Sequence, residues 1–509
     1  MAQVQQIPSR AGRKVVVIGA GMGGLTAAAL LAHRGYQVKI FEQAQIPGGC
    51  ASTFKRRGFT FDVGATQVAG LEPGGIHHRI FSELGIDIPA ASPCDPACVV
   101  FLPGEDQPIS VWRDPDQWKA ERQRQFPGSE QFWQLLADLF EVNWAFQSRD
   151  PVIPPRNLWD VWQVVQALRP ATLKTVPHLF STVGQTLRAF GLGHDHRLKT
   201  FLDLQLKLYS QVDAEETALL YAATALGVSQ LPQGLSHLHG SMQALSDGLV
   251  ETLCTFGGEL YLGHSVQSIQ KKGDTPTGPS FKVQGQDTKG NEWVEAADHV
   301  VANVTVQNLV DLLGEAAPAG YQKRVQGLPK ASGAFVIYLG VEATAIPDDC
   351  PPHLQFLYNA DAPIAENNSL FVSVSRPGDG RAPVGKATII ASTFTDPDLW
   401  AKIEDYEGLK EMYVGAAIVN LSQFFNLTED TIIHQEAGTP RTFERFTARQ
   451  KGIVGGIGQR VPNFGPFGFS TRTPIRGLWL VGDSTHPGEG TAGVSYSALT
   501  AVNQIKAMS

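Results

Sequence analysis

The apolar positions of the first fifty residues fall into three blocks with different periods. Lys14-Val15-Val16-Val17-Ile18 is a continuous β-branched run, the pattern of a strand buried on both faces. Leu25 to Arg34 is rich in Ala and Leu and is followed by Gly35, which predicts a helix closed by a glycine cap. Val38 to Phe41 is a second apolar run and ends at Glu42. Further on, Phe132 to Phe146 carries apolar residues at helical spacing, and Pro151, Pro154 and Pro155 end that pattern. Asn157 to Trp162 opens another helix, and Pro170 and Pro177 interrupt the stretch after it. A helix runs to about Phe256, and short strands are predicted at 257–262, 265–269 and 300–304. Residues 334–339 and 387–391 predict a second sheet, 478–481 a buried strand, and Val494 to Met508 a final helix.

With 509 residues the chain is too long for one ordinary core, so two intertwined domains are expected. The predicted architecture is α/β: a Rossmann-like dinucleotide domain interleaved with a substrate domain of mixed β-sheet and helices. Its dinucleotide parts are 1–70, 226–305 and 471–509. A mainly helical region spans 71–225, and the substrate domain with its sheet spans 306–470. Hydrophobic residues make up 43% and charged residues 18%, and the formal charge of −8 argues against a nucleic-acid partner. Five scattered cysteines predict no zinc site and fit a reducing, intracellular compartment. The first thirteen residues read as a mobile lead-in and not as a secretory signal, and no apolar run is long enough to span a membrane. Residues 159–188 instead mix Trp159, Trp162, Arg169, Lys174 and Arg188 into an apolar stretch. That composition suits one membrane face, and equally an amphipathic helix packed on its own core. Peripheral attachment on the cytoplasmic side is the expected localisation.

The chemistry concentrates where the apolar runs meet glycine. Lys14–Ile18 leads straight into Gly19-x-Gly21-x-x-Gly24. Gly19 permits the tight turn, Gly21 admits a pyrophosphate to the backbone, and Gly24 lets helix and strand pack closely. The helix N-terminus then offers unpaired N–H groups to phosphates. Glu42 stands where a carboxylate accepts from ribose hydroxyls and disfavours a 2′-phosphate. Gly48 and Gly49 allow backbone contact with a further part of a long cofactor, which a plain NAD site does not need. At the other end, 478–481 runs into Gly482-Asp483, and the final helix comes next. Asp483 suits a ribityl or pyrophosphate contact. Gly493 and Val494 are the candidates to face the flavin N1/O2 edge through backbone N–H groups. Two such sites more than 450 residues apart predict one FAD lying extended across the fold.

These segments, with Gly58 to Ala65 and Thr485 to Gly488, resemble the FAD-dependent carotenoid desaturase and isomerase family, along nearly the whole chain. Within it the segments 48–54 and 203–207 and the His486 region resemble cyanobacterial carotenoid 3′,4′-desaturases, which act in making myxol-type carotenoids. The resemblance implies that Val266 contacts adenine through its backbone and that Gly240 is a turn glycine at the domain interface. It also marks a departure, since many relatives carry Arg where this chain has Cys50. His237 and His239 read as packed or surface histidines. The implied activity is desaturation of a carotenoid. One hydrogen leaves as hydride to the flavin, and a weak base or water takes a proton from the neighbouring carbon. His486 and Glu489 are the local candidates for a polar catalytic group, with loop-shaping hydrogen bonds as their alternative role. A carotene cis–trans isomerase using reduced FAD and a non-catalytic lipid-binding relative stand as alternative functions. A flavin amine oxidase is less consistent with the long apolar insert. The reoxidant is oxygen, a quinone or another carrier, and no metal is implied.

Overall fold

The computed structural model describes residues 13–272 and 280–508. The lead-in expected over the first thirteen residues therefore lies almost wholly outside the described residues.

Lys14–Ile18 is the middle strand of a five-stranded parallel sheet. On one side come Gln37–Glu42 and then Glu259–Leu262, and on the other His299–Ala302 and then Leu478–Leu480. Three separate stretches of chain thus build one sheet, and the register sets Val16 beside Val300 and Val300 beside Leu478. Strand order reverses at the middle strand, so the crevice at the carboxyl ends of the strands is the expected ligand position.

Met22–His33 covers one face of this sheet. Residues Met22 to Ala32 are all buried, because this helix is enclosed by Gln243–Thr255 and Thr491–Met508. Ala27, Ala28 and Ala29 let those neighbours approach closely. The helix starts at Met22, three residues before the apolar run suggests. Gly23 and Gly24 lie inside its first turn, and a Cβ on Gly24 would sit 2.0 Å from the Gly19 carbonyl oxygen. Only glycine fits that crossing.

A seven-stranded sheet forms the second layer, in the order Ile432–Gly438, Gly333–Glu342, Lys386–Thr395, Ser369–Val374, His353–Leu357, Cys98–Phe101, Ile109–Val111. Its last two strands come from the region read as mainly helical. Cys98–Phe101 pairs in parallel with His353–Leu357, with Leu354 opposite Val99. A third short strand in that region, Ala91–Pro93, pairs with Ser236–Leu238, and the regular elements otherwise are helices: Ile76–Leu84, Pro115–Gln125, Glu130–Gln147, Leu158–Ala167, Val183–Ala189, His196–Ser210 and Leu219–Gly227, with a 3-10 helix over Pro170–His178. In Glu130–Gln147 the buried positions are Phe132, Trp133, Leu136 and Leu139, one face of the helix. Asn157 caps Leu158–Ala167 by accepting from the Asp160 amide.

The two layers are pinned by a buried ion cluster. Arg381 Nη2 donates to Asp62 Oδ2 at 2.9 Å, and Nη1 donates to the Leu238 carbonyl at 2.6 Å and lies 2.9 Å from His237 Nε2. Asp379 Oδ2 stands 3.1 Å from the same imidazole nitrogen. His237 is therefore a packed histidine, while His239 is exposed. Gly240 turns the chain here at φ 81° and donates its N–H to the Asp379 carbonyl.

Candidate cofactor cleft and adjoining apolar chamber

A cavity of about 690 Å³ begins at the carboxyl end of the middle strand. Gly19, Gly21, Glu42, Gly48, Gly49, Val266, Asp483, Glu489, Gly493 and Val494 all line it, although they come from five separate stretches of chain. Gly24 does not line it and acts through helix–turn packing. His486 does not line it either.

The glycine turn is held from two directions. The Gly48 N–H donates to the Ala20 carbonyl at 2.8 Å, which lays the Gly48-Gly49 loop along the first turn. A Cβ on Gly49 would stand 3.2 Å from Gly21 Cα, and Gly48 sits at φ 117°, a conformation open to glycine. Asn303 fills the centre. Its side chain lies within 4 Å of the Cβ positions of Gly19, Gly21, Gly23 and Gly482, and Nδ2 donates to the Gly19 carbonyl. The sequence alone does not single out Asn303, because a lone Asn after a strand reads as a simple turn residue.

Glu42 is 8% exposed. Its Oε2 accepts from the Ala20 amide at 2.7 Å and its Oε1 from the Ala44 amide at 2.8 Å. Burial pushes this carboxyl above its usual range, and the amides pull it back. Further hydrogen-bond donors at this carboxylate would add to that compensation. Val266 lies where the strand His264–Lys271 bulges, with the register shifting between Val266 and Ser268.

At the other end of the cavity Asp483 Oδ2 accepts from Arg449 Nη2 at 2.5 Å. Arg449 is raised above its ordinary value even though burial opposes its charge, because Asp483 and Cys50 lie close to it. Its Nη1 is buried with no hydrogen-bond partner. Arg449 thus brings a guanidinium close to Cys50 from a distant loop. Burial raises the Cys50 thiol, and Arg449 draws it down. Nothing local in the sequence around Arg449 announces this, since only the fold brings the two segments together.

The final helix begins at Thr491, earlier than the apolar pattern indicates. The Val494 N–H already donates to the Gly490 carbonyl at 3.0 Å, closing the first helical bond. The free amides of the first turn are therefore those of Thr491, Ala492 and Gly493, which corrects the expectation of a free amide at Val494. Glu489 precedes this turn. Its Oε2 accepts from Gln211 Nε2 at 2.9 Å, and its Oε1 is buried without a partner. Burial pushes Glu489 well above the ordinary carboxyl value, helped by the nearby Asp483 charge and opposed by Gln211 and Arg449. His486 accepts at Nε2 from the Gln147 side-chain amide at 2.9 Å, and burial lowers its pKa to about 4, so it is a neutral imidazole. It reaches the cavity only through Gln147, which lines it.

Beyond the polar groups the cavity wall is apolar, formed by Leu208, Tyr221, Val336, Phe371, Phe394 and Phe443. A cradle for a dinucleotide therefore opens directly onto a chamber suited to a hydrocarbon.

Residues 17–84 match the model of the NAD(P)-binding Rossmann-like domain family. The chain is 28% identical over 508 residues to prolycopene isomerase 2 of an Oncidium hybrid cultivar, covering 97% of this chain and 83% of that one. It is 25% identical over 510 residues to the zeta-carotene-forming phytoene desaturase of Myxococcus xanthus, covering 96% and 93%. Over nearly its whole length the chain is thus similar to carotenoid isomerases and desaturases. Among solved structures it is similar to an oxidoreductase from Methanosarcina mazei, with a TM-score of 0.64, 19% identity, and coverage of 96% and 100%. The protein is an enzyme with a Rossmann-like α/β fold shared with that oxidoreductase. The comparisons point to a flavin, and they do not reach the 3′,4′ position that the sequence resemblance implies.

Proposed function

We propose that the protein binds FAD and desaturates a carotenoid, introducing the new double bond near one end of the polyene, at the 3′,4′ position of a myxol-type precursor. The observation that carries this reading is the union of a two-ended dinucleotide cradle with an apolar wall in one cavity. Glu42 and the Gly19–Gly24 turn would hold the adenosine and pyrophosphate, with the Val266 backbone toward adenine. Arg449 and Asp483 would hold the ribityl region, and the first-turn amides of Thr491–Met508 the far ring edge. A flavin held there supplies a two-electron acceptor. The apolar wall orients the polyene and excludes water, and the conjugated chain itself spreads developing positive charge, so no catalytic triad is needed. Oxygen or a quinone would take the electrons onward.

Cis–trans isomerisation is a second reading, favoured by one observation. Glu489 stands at the cavity with one carboxyl oxygen unpartnered, and burial raises its carboxyl above the ordinary value, which favours the protonated form and so proton donation over acceptance. Incubation of the purified holoprotein with acyclic carotenoids under air and with a quinone separates the two. A product lighter by two hydrogens supports desaturation, and an isomer of unchanged mass supports isomerisation. Absence of either product with every carotenoid tried, in protein retaining FAD, would defeat both.

Attachment to a membrane face belongs to the same reading. Leu158, Trp162, Leu173, Val176 and Phe180 are exposed on Leu158–Ala167 and the segment after it, with Arg169 and Lys174 among them. Asp160, fully buried, ties that helix to Arg472 at 3.0 Å, so its apolar face is presented on a firm base. Among the described residues no helix is long and apolar enough to cross a membrane.

A further inference from the structure

Trp144 and Tyr209 line the main cavity and also a second chamber of about 490 Å³. The second chamber lies among Pro115–Gln125, Glu130–Gln147, His196–Ser210 and Leu219–Gly227, with Trp118, Trp133, Phe140 and Phe201 in its walls. Arg122 also lines it, with its guanidinium carbon 5.4 Å from the Trp118 ring centre and 5.1 Å from that of Trp133. Such stacking fixes the guanidinium in place. Yet Arg122 Nε is buried with no hydrogen-bond partner, and so is the side-chain oxygen of Gln233 in the same chamber. A buried donor and a buried acceptor left unmade cost free energy that a ligand can recover. A hydroxyl has what each lacks, a lone pair to accept from Arg122 and a proton to donate to Gln233.

The main cavity must hold the dinucleotide and the reacting carbons. A conjugated polyene is stiff, so its remaining length continues in a line and cannot fold back beside the reacting end. We propose that the second chamber takes the far end of the polyene, and that a hydroxyl on that end is read by Arg122 and Gln233. The inference rests on the carotenoid reading and adds that the substrate is oxygenated at the end remote from the chemistry. The aromatic walls suit the chain, and the two orphaned groups suit its terminus.

The test titrates purified holoprotein with two acyclic forty-carbon polyenes of equal length, one ending in a hydroxyl and one a plain hydrocarbon. Binding is followed by the visible absorption of the polyene, independent of turnover. The native protein should bind the hydroxylated form about tenfold more tightly, the worth of a hydrogen bond to a charged group. Arg122→Met keeps the aliphatic stem between the indoles, and Gln233→Leu keeps the bulk. Each should abolish the preference while leaving hydrocarbon affinity unchanged, with melting midpoints checked alongside. Should Arg122→Met fail to fold, Gln233→Leu carries the same test. Leu226→Trp, placed in the chamber wall, should weaken both long polyenes and spare one of half the length. An unchanged preference in the folded variants, no preference in the native protein, or full long-polyene binding by Leu226→Trp would overturn the chamber assignment alone. A native protein that binds no polyene at all would overturn the carotenoid reading and the chamber with it.

Discussion

Glu489 shows what one residue does when the fold denies it water. Its proton is retained in the folded state well above the unfolded value of 4.5. The folded protein therefore binds more protons than the unfolded chain as pH rises past that value, so this residue's contribution falls with increasing pH. Glu489→Gln keeps the amide-like neutral form and removes the effect. The stability of E489Q relative to the parent should rise steadily above about pH 4.5 in denaturant melts, and a constant difference across that range would refute the assignment. Arg449 has the opposite character. Arg449→Met strands the Asp483 carboxylate, which is 8% exposed, without its counter-ion. A loss of about 3 kcal/mol is expected, together with weaker flavin retention in equilibrium dialysis. Conservation of both melting midpoint and flavin content would show that water replaces the guanidinium. At this scale the sequence is legible where function lies in the backbone. Gly19, Gly21, Gly48 and Glu42 announce themselves by position after a strand. Arg449, Asn303, Gln211 and Arg122 do not, because their meaning depends on neighbours hundreds of residues or several elements away.

Among the elements, Leu158–Ala167 combines a buried anchor at Asp160 with an exposed apolar face. Leu158 is 88% and Trp162 55% exposed, far more than single surface apolar residues on an internal helix would be. The double variant Leu158→Ser, Trp162→Gln should fold normally and lose most of its co-flotation with liposomes containing anionic lipid. Undiminished flotation would place the contact elsewhere. The nucleotide-binding elements are readable because a run such as Lys14–Ile18 leaves no room for another period. The strand Cys98–Phe101 is not. Its apolar run is only a few residues long, it stands among helix-forming segments, and its partner His353–Leu357 lies some 250 residues further on. A short buried strand of this kind has no identity until its neighbour is known. The helix starts at Met22 and Thr491 escape the apolar pattern for a related reason. Glycine reads as a breaker, yet here it begins the helix because a side chain would collide with the turn beneath.

For the molecule as a whole, the cavity gathers residues from both ends of the described chain, so ligand binding and global folding are coupled. A dinucleotide that binds only the folded form adds about 2.7 kcal/mol at a concentration one hundred times its Kd. Flavin-stripped protein supplied with FAD at that excess should show the corresponding rise in melting midpoint, whereas NADP should give little, because Glu42 opposes a 2′-phosphate. Equal stabilisation by NADP would contradict the reading of Glu42. The layered architecture is foreshadowed by the alternation of strand and helix signals, while the sharing of the seven-stranded sheet between distant segments is visible only in three dimensions.

The strand Leu478–Leu480 borders His299–Ala302, which in turn borders Lys14–Ile18. During synthesis the ribosome delivers the middle strand early and its outer companion only after more than 450 further residues. Until then the early glycine turn has neither Asp483 nor the final helix to face it. Before those segments emerge a nascent chain would hold no complete flavin seat, and the greasy walls of the chamber would stand uncovered. Cells making this protein faster than they supply flavin should therefore accumulate it in association with chaperones or as aggregate.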